Sequence, residues 1–111
     1  MNDPLRGTGR TTRMMLDAHF KCIEGDDVYI VFQTAAEAVG AFRAHIDTFA
    51  CYGISKEKRR VLYANEKYVY FRHIMSDPVG LNGVVLFDHT VQEGWDNLSE
   101  MYRQRWLRVQ P

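Results

Sequence analysis

The period of the apolar positions changes repeatedly along the chain, and each change marks an element. From Thr11 to about Ile23, Met15, Ala18 and Cys22 recur at helical spacing beside a second row of Leu16, Phe20 and Ile23. Two such rows predict one helix with a broad buried face, and Gly25 supplies its stop. "DVYIVF", Asp27 to Phe32, is β-branched and aromatic with almost no polar break, the pattern of a strand covered on both sides. A second helix opens on "TAAE", where Thr34 can cap the N-terminus and Glu37 can close a capping box. It carries Ala38, Phe42, Ile46 and Phe49 at helical spacing and is expected to end near Gly53.

"SKEKRR", Ser55 to Arg60, then reads as a charged surface turn. "RVLYA" and "KYVYFRH" flank Asn65 and Glu66 and read as a hairpin, since two alternating aromatic runs surround a short polar break. The proline and glycine of "IMSDPVGLN" argue against regular structure there. "GVVLFDH", Gly83 to His89, is a second continuous apolar run, and it ends in an acid. Val91, Trp95, Leu98 and Tyr102 mark a last amphipathic helix, with "RWLRV" as its frayed end or a short closing strand. No repeat or linker divides the chain, so residues 1–111 are expected to form a single α/β layered domain.

Composition narrows the function classes. Fourteen basic residues balance fourteen acidic ones, so any contact with nucleic acid or an anionic surface has to be local. No apolar run approaches the roughly 20 residues that span a bilayer, and Met1 to Thr12 lacks a signal-type stretch, which points to a cytoplasmic protein without a membrane partner. Cys22 and Cys51, with no CxxC, read as reduced thiols. His19, His45, His73 and His89 lack zinc-site spacing and read as one helix-face, one surface and two strand-end residues.

The candidate chemistry lies at the first helix start. A phosphate loop needs glycines that let backbone N–H groups turn inward, a cation, a hydroxyl for magnesium, and a helix N-terminus behind them. Gly7, Thr8, Gly9, Arg10, Thr11 and Thr12 supply these in order, with Arg10 at the lysine position, Thr11 at the magnesium-ligand position and Pro4 in place of the first glycine. "VVLFDH" has the form of the second half of such a site, a buried strand ending in Asp88, so Thr11 and Asp88 are the candidate magnesium ligands. Simpler roles exist for each: "GTGRTT" also suits a flexible turn and helix cap, and Asp88 also suits a cap for the last helix. Tyr63, Tyr68, Tyr70 and Phe71, near Lys67 and Arg72, could stack bases, but a half-buried hairpin uses the same residues.

On these residues the chain resembles P-loop NTPases. "GTGRTT" is similar to a degenerate Walker A loop and "VVLFDH" to a Walker B strand, while "VYIVFQTAAEAVGAF" and "YVYFRHIMSDPVGLNGVVLFDH" resemble stretches of helicase and terminase motors. Small phage proteins that open with a "GRTTRM"-like sequence look similar. The resemblance covers roughly Pro4 to Glu93 and implies a small P-loop-like three-layer sheet that binds ATP or GTP with magnesium. Three departures reduce what it implies. Arg10 replaces the compact lysine, His89 stands where active relatives carry a glutamate, and only Met1 to Arg6 precede Gly7, so the strand that feeds the loop is expected to be missing. The module is therefore expected to be catalytically weak or silent, with an open sheet edge that a second copy or a protein partner could cover. Two other classes remain: a phage interaction protein using the fold as a scaffold for a host or phage protein, and a small nucleic-acid-binding accessory using Arg6, Arg10, Arg13 and the basic turn.

Overall fold

A computed structural model describes residues 10–76 and 81–108. The chain is mixed α/β. Its elements run α1 (Arg10–Ile23), β1 (Val28–Phe32), α2 (Ala35–Thr48), β2 (Gly53–Ser55), β3 (Arg60–Leu62), β4 (Tyr68–His73), β5 (Val84–Phe87), α3 (His89–Glu93), a 3-10 turn (Trp95–Asn97) and α4 (Glu100–Leu107). The five strands form one sheet in the order β2-β3-β4-β1-β5. β1 lies parallel to both β4 and β5, whereas β2 with β3 and β3 with β4 are antiparallel.

Every residue of β1 is buried, as a strand with apolar groups on both faces requires. Val28, Ile30 and Phe32 face α1 and α2 in a core shared with Val61, Val69 and Phe71, while Val31 faces a smaller cluster with Ile74, Val91 and Trp106. Helices thus pack on both faces of the sheet. The expected hairpin forms across β3 and β4, with Leu62 opposite Tyr68 and Glu66 in the left-handed region at φ 63°. The parallel pairing of β4 with β1 brings strands from distant parts of the chain together, in the register Val28 to Val69.

Several sequence expectations need correction. Only one row of α1 is buried: Met15, Ala18 and Cys22 meet the sheet, whereas Leu16, Phe20 and Ile23 are exposed, because a helix lying on a sheet presents one stripe to it. α2 ends at Thr48 rather than near Gly53, which instead opens the short strand β2. The last amphipathic segment is not one helix. Gly94, with φ −92° and ψ 5°, ends α3, and Leu98 is extended before Ser99 opens α4. "RWLRV" contributes helix through Leu107, and Trp106 is fully buried.

Gly83 shows why the entry to β5 is glycine. Its φ is +154°, and a Cβ there would stand 2.3 Å from the Asp27 carbonyl oxygen, the same oxygen that accepts the first β5 ladder bond from Val84 N–H at 2.9 Å. Gly83→Ala is expected to lower unfolding stability by about 2 kcal/mol, since clash and backbone conformation both oppose it. Chemical denaturation reads this directly, and an unchanged midpoint would show that the β5 entry relaxes without cost.

Candidate functional site

β5 runs parallel to β1, and its ladder continues one residue past the strand through Asp88 N–H donating to the Val31 carbonyl at 2.9 Å. Asp88 therefore sits at the carboxyl end of two neighbouring parallel strands, where open α/β sheets leave a crevice. α1 packs on the same strands through Met15 and Ala18. Its first turn meets Asp88: Thr11 Oγ1 donates to Asp88 Oδ1 at 3.0 Å, across 77 positions of sequence.

The rest of the site is held from the other side. Asp88 is 2% exposed, and its Oδ2 accepts from Thr90 N–H at 3.3 Å and Thr90 Oγ1 at 2.6 Å. Asp88 thus caps α3, as the simpler reading of this residue anticipated. Thr90 Oγ1 also lies 3.1 Å from Glu37 Oε2. Glu37 and Asp88 thus converge on one hydroxyl, whose single proton cannot fully satisfy two carboxylates. Thr11, Thr90, Asp88 and Glu37 form a set of hard oxygen donors, the chemistry that suits magnesium rather than a soft metal.

Thr11 and Asp88 are brought together, and Thr12, the next residue of α1, is exposed. Gly7, Thr8, Gly9 and the Arg10 side chain lie outside the described residues. Glu37 and Thr90 were not among the sequence candidates. Thr34 does accept from Glu37 N–H at 3.2 Å, but only that half of the capping box forms, because the Glu37 carboxylate turns to Thr90. Thr90 carried a local signal, since a threonine two residues after an aspartate is a recurrent capping pattern. His89 Nδ1 stands 3.4 Å from Asp88 Oδ1, and both of its ring nitrogens are buried without a hydrogen-bond partner.

The other histidines are not at this site. His45 is fully buried, contrary to its expected surface position, because its Nε2 pairs with the Tyr63 hydroxyl at 2.7 Å. The same hydroxyl meets His19 Nδ1 at 2.9 Å. His45 Nδ1 has no partner, and an unpaired buried N–H costs more than an unpaired lone pair, so the favoured arrangement has His45 donating to Tyr63 and Tyr63 donating to His19. Burial, with His19 adding to it, pushes the His45 pKa down to about 4, and burial raises the Tyr63 hydroxyl. Cys22 and Cys51 are free thiols, both raised by burial. Tyr63 and Phe71 belong to the core, whereas Tyr68 and Tyr70 are half-buried outside it.

A separate cavity of about 400 Å³ is lined by Phe87, Val91, Gln92, Trp95 and Asp96. Among the described residues no helix is long and apolar enough to cross a membrane, and no group of three or more His, Cys, Asp or Glu side chains could hold a metal ion. Compared with protein-family models, with curated proteins and with solved structures, the chain matches none.

Proposed function

We propose that this chain is a P-loop-like phosphate- or nucleotide-binding module of three layers, catalytically weak or silent. The observation that carries the reading is the hydrogen bond from Thr11 Oγ1 to the buried Asp88 Oδ1, which joins a helix start to the carboxyl end of a parallel strand. A phosphate at that helix start would meet backbone N–H groups and the positive end of the helix dipole. Gly7, Gly9, Arg10 and Thr12 would complete the cradle. Magnesium, when bound, would neutralise phosphate charge. Thr11 and Asp88 are the residues that would hold it, and Glu37, reaching Thr90, adds negative charge to the same place. His89 in the place of a glutamate argues against fast hydrolysis.

A titration with ATP, GTP and a non-hydrolysable analogue, with and without magnesium, tests the reading through the backbone amide shifts of Gly7 to Thr12 and Asp88. Saturable shifts confined to these residues are expected, and Thr11→Val is expected to weaken them about tenfold by removing one charge-assisted bond. No shift at millimolar nucleotide would overturn the reading. Hydrolysis at rates typical of motor ATPases would overturn its catalytic half.

A second reading, a scaffold for a protein partner or a second copy, is favoured by the β5 edge. Val84 and Asp88 bond to β1, so the main-chain groups of Val85 and Phe87 face away from it. Gln92 Nε2 donates to the Phe87 carbonyl at 3.0 Å, and among the described residues β5 pairs only with β1. An incoming strand could add there, with an apolar side chain in the Phe87–Trp95 cavity.

A further inference from the structure

The outward face of β3 and β4 is built differently from the rest of the sheet. Along β4, Tyr68, Tyr70 and Arg72 alternate with the buried Val69 and Phe71. The strand registers place Tyr29 of β1 and Arg60 of β3 on either side of Tyr70. Tyr29 and Tyr70 stack with ring centroids 4.5 Å apart. The Arg60 guanidinium lies 4.3 Å from the Tyr68 ring centroid and that of Arg72 lies 5.6 Å from the Tyr70 centroid. Trp106 of α4 packs with Val31 and Phe87, over β1 and β5, whereas Tyr68, Tyr70, Arg60 and Arg72 belong to neither apolar cluster and stay half-buried.

The same residues carry positive charge, with the Asp27 carboxylate near enough to act on Tyr70 and its Oδ1 accepting from Tyr68 N–H at 2.9 Å. Among the described residues, no carboxylate lies within ion-pair distance of Arg59, Arg60 or Arg72. The Nε atoms of Arg60 and Arg72 are buried without an acceptor. Arg59 precedes β3 in a left-handed backbone position at φ 48°, and its carbonyl accepts from Phe71 N–H at 2.8 Å. His73 is pushed below its ordinary pKa by burial and then by the adjacent Arg59 and Arg72. Guanidiniums with no ion-pair partner among the described residues and with donors left over can take an anion.

We propose that this face binds single-stranded nucleic acid, with bases stacking against Tyr68 and Tyr70 and backbone phosphates meeting Arg60 and Arg72. Stacking platforms combined with a cationic track are how single strands are held without sequence preference. An acidic peptide would satisfy the guanidiniums but gain nothing from the tyrosines, and a duplex keeps its bases stacked on each other. Because the chain has no net charge, the attraction comes from this patch alone and salt dependence is modest.

Fluorescence anisotropy with labelled dT and rU 20-mers, at about 50 and 200 mM salt, tests the proposal on the full chain. Saturable binding is expected, with a log–log salt slope of about −1.4, since each of the two neutralised phosphates on a single strand contributes about −0.7. Arg60→Gln and Arg72→Gln are each expected to make that slope shallower by about 0.7, whereas Lys21→Gln, the same charge loss on α1, leaves it unchanged. Tyr68→Leu keeps an apolar side chain on the strand and is expected to weaken binding about tenfold at either salt. Circular dichroism on each variant separates lost binding from lost fold. No binding at 100 μM protein would overturn the proposal. So would binding untouched by Tyr68→Leu in a folded protein, equal affinity for a duplex, or equal competition by polyglutamate. A preference for dT or rU would identify which of the two strands the face takes.

Discussion

Replacing Trp106 with alanine is expected to destabilise the protein by about 4 kcal/mol, the range for truncating a fully buried tryptophan. Trp106 is 0% exposed, its ring meets Phe87 edge to face at 5.9 Å, and its Nε1 donates to the Ile74 carbonyl at 2.6 Å. Alanine there opens a cavity between α4 and the sheet and leaves a buried carbonyl unpaired. Domains of this size hold only about 5–15 kcal/mol in total, so a large share of the stability depends on one side chain near the C-terminus. Urea denaturation checks it, with Trp106→Phe as the conservative control that loses the hydrogen bond but keeps most of the ring. The variant also loosens the cluster behind β5, so the Asp88 amide is expected to shift in the folded protein. A loss below about 1 kcal/mol would mean that α4 contributes little to the second layer.

Acid is expected to unfold the protein at pH values where most carboxylates are still ionised. His45 titrates at about 4 in the folded chain against an ordinary value of 6.5, because burial disfavours the imidazolium and His19 adds to it. The unfolded chain therefore binds a proton that the folded chain refuses. The stability His45 contributes is complete above pH 6.5 and is lost as pH falls towards 4. Integrated over that interval it amounts to about 3 kcal/mol. His19 and His73 are lowered as well and act in the same direction. Denaturation midpoints between pH 7.5 and 5 read the effect above the carboxylate range. His45→Gln keeps an amide within reach of Tyr63 and cannot take up a proton, so its midpoint is expected to vary much less over the same interval. An identical pH slope in the two proteins would remove His45 as the cause.

The amino-acid sequence by itself determined the local elements whose signals are local. The period of Met15, Ala18 and Cys22, the unbroken apolar run of β1, the Thr34 cap and the aromatic alternation either side of Asn65 each specify backbone geometry within a few residues, and each appears in the structure. What it left open depended on which surface an element meets. Leu16, Phe20 and Ile23 have the same hydrophobicity as residues of the buried row, and only the sheet's position decides which row is covered. His45 reads as polar until Tyr63, 18 positions away, offers its hydroxyl. Gly94 and Leu98 break a run whose apolar spacing is continuous, because periodicity does not record where a helix stops.

The candidate site divides in the same way. Thr11 and Asp88 were legible as the two ends of a known pattern, since each stands beside a strong local signal, a helix start and a buried strand end. Glu37 and Thr90 were not, because a carboxylate at the third position of a helix serves its own cap equally well in one dimension. Folding chose between these uses by bringing β5 against β1, which carries Thr90 to within 3.1 Å of Glu37 across 53 positions of sequence. Local propensity therefore set the elements. The parallel pairing of distant strands, whose cost in chain entropy is repaid only when both faces are covered, decided which polar groups meet.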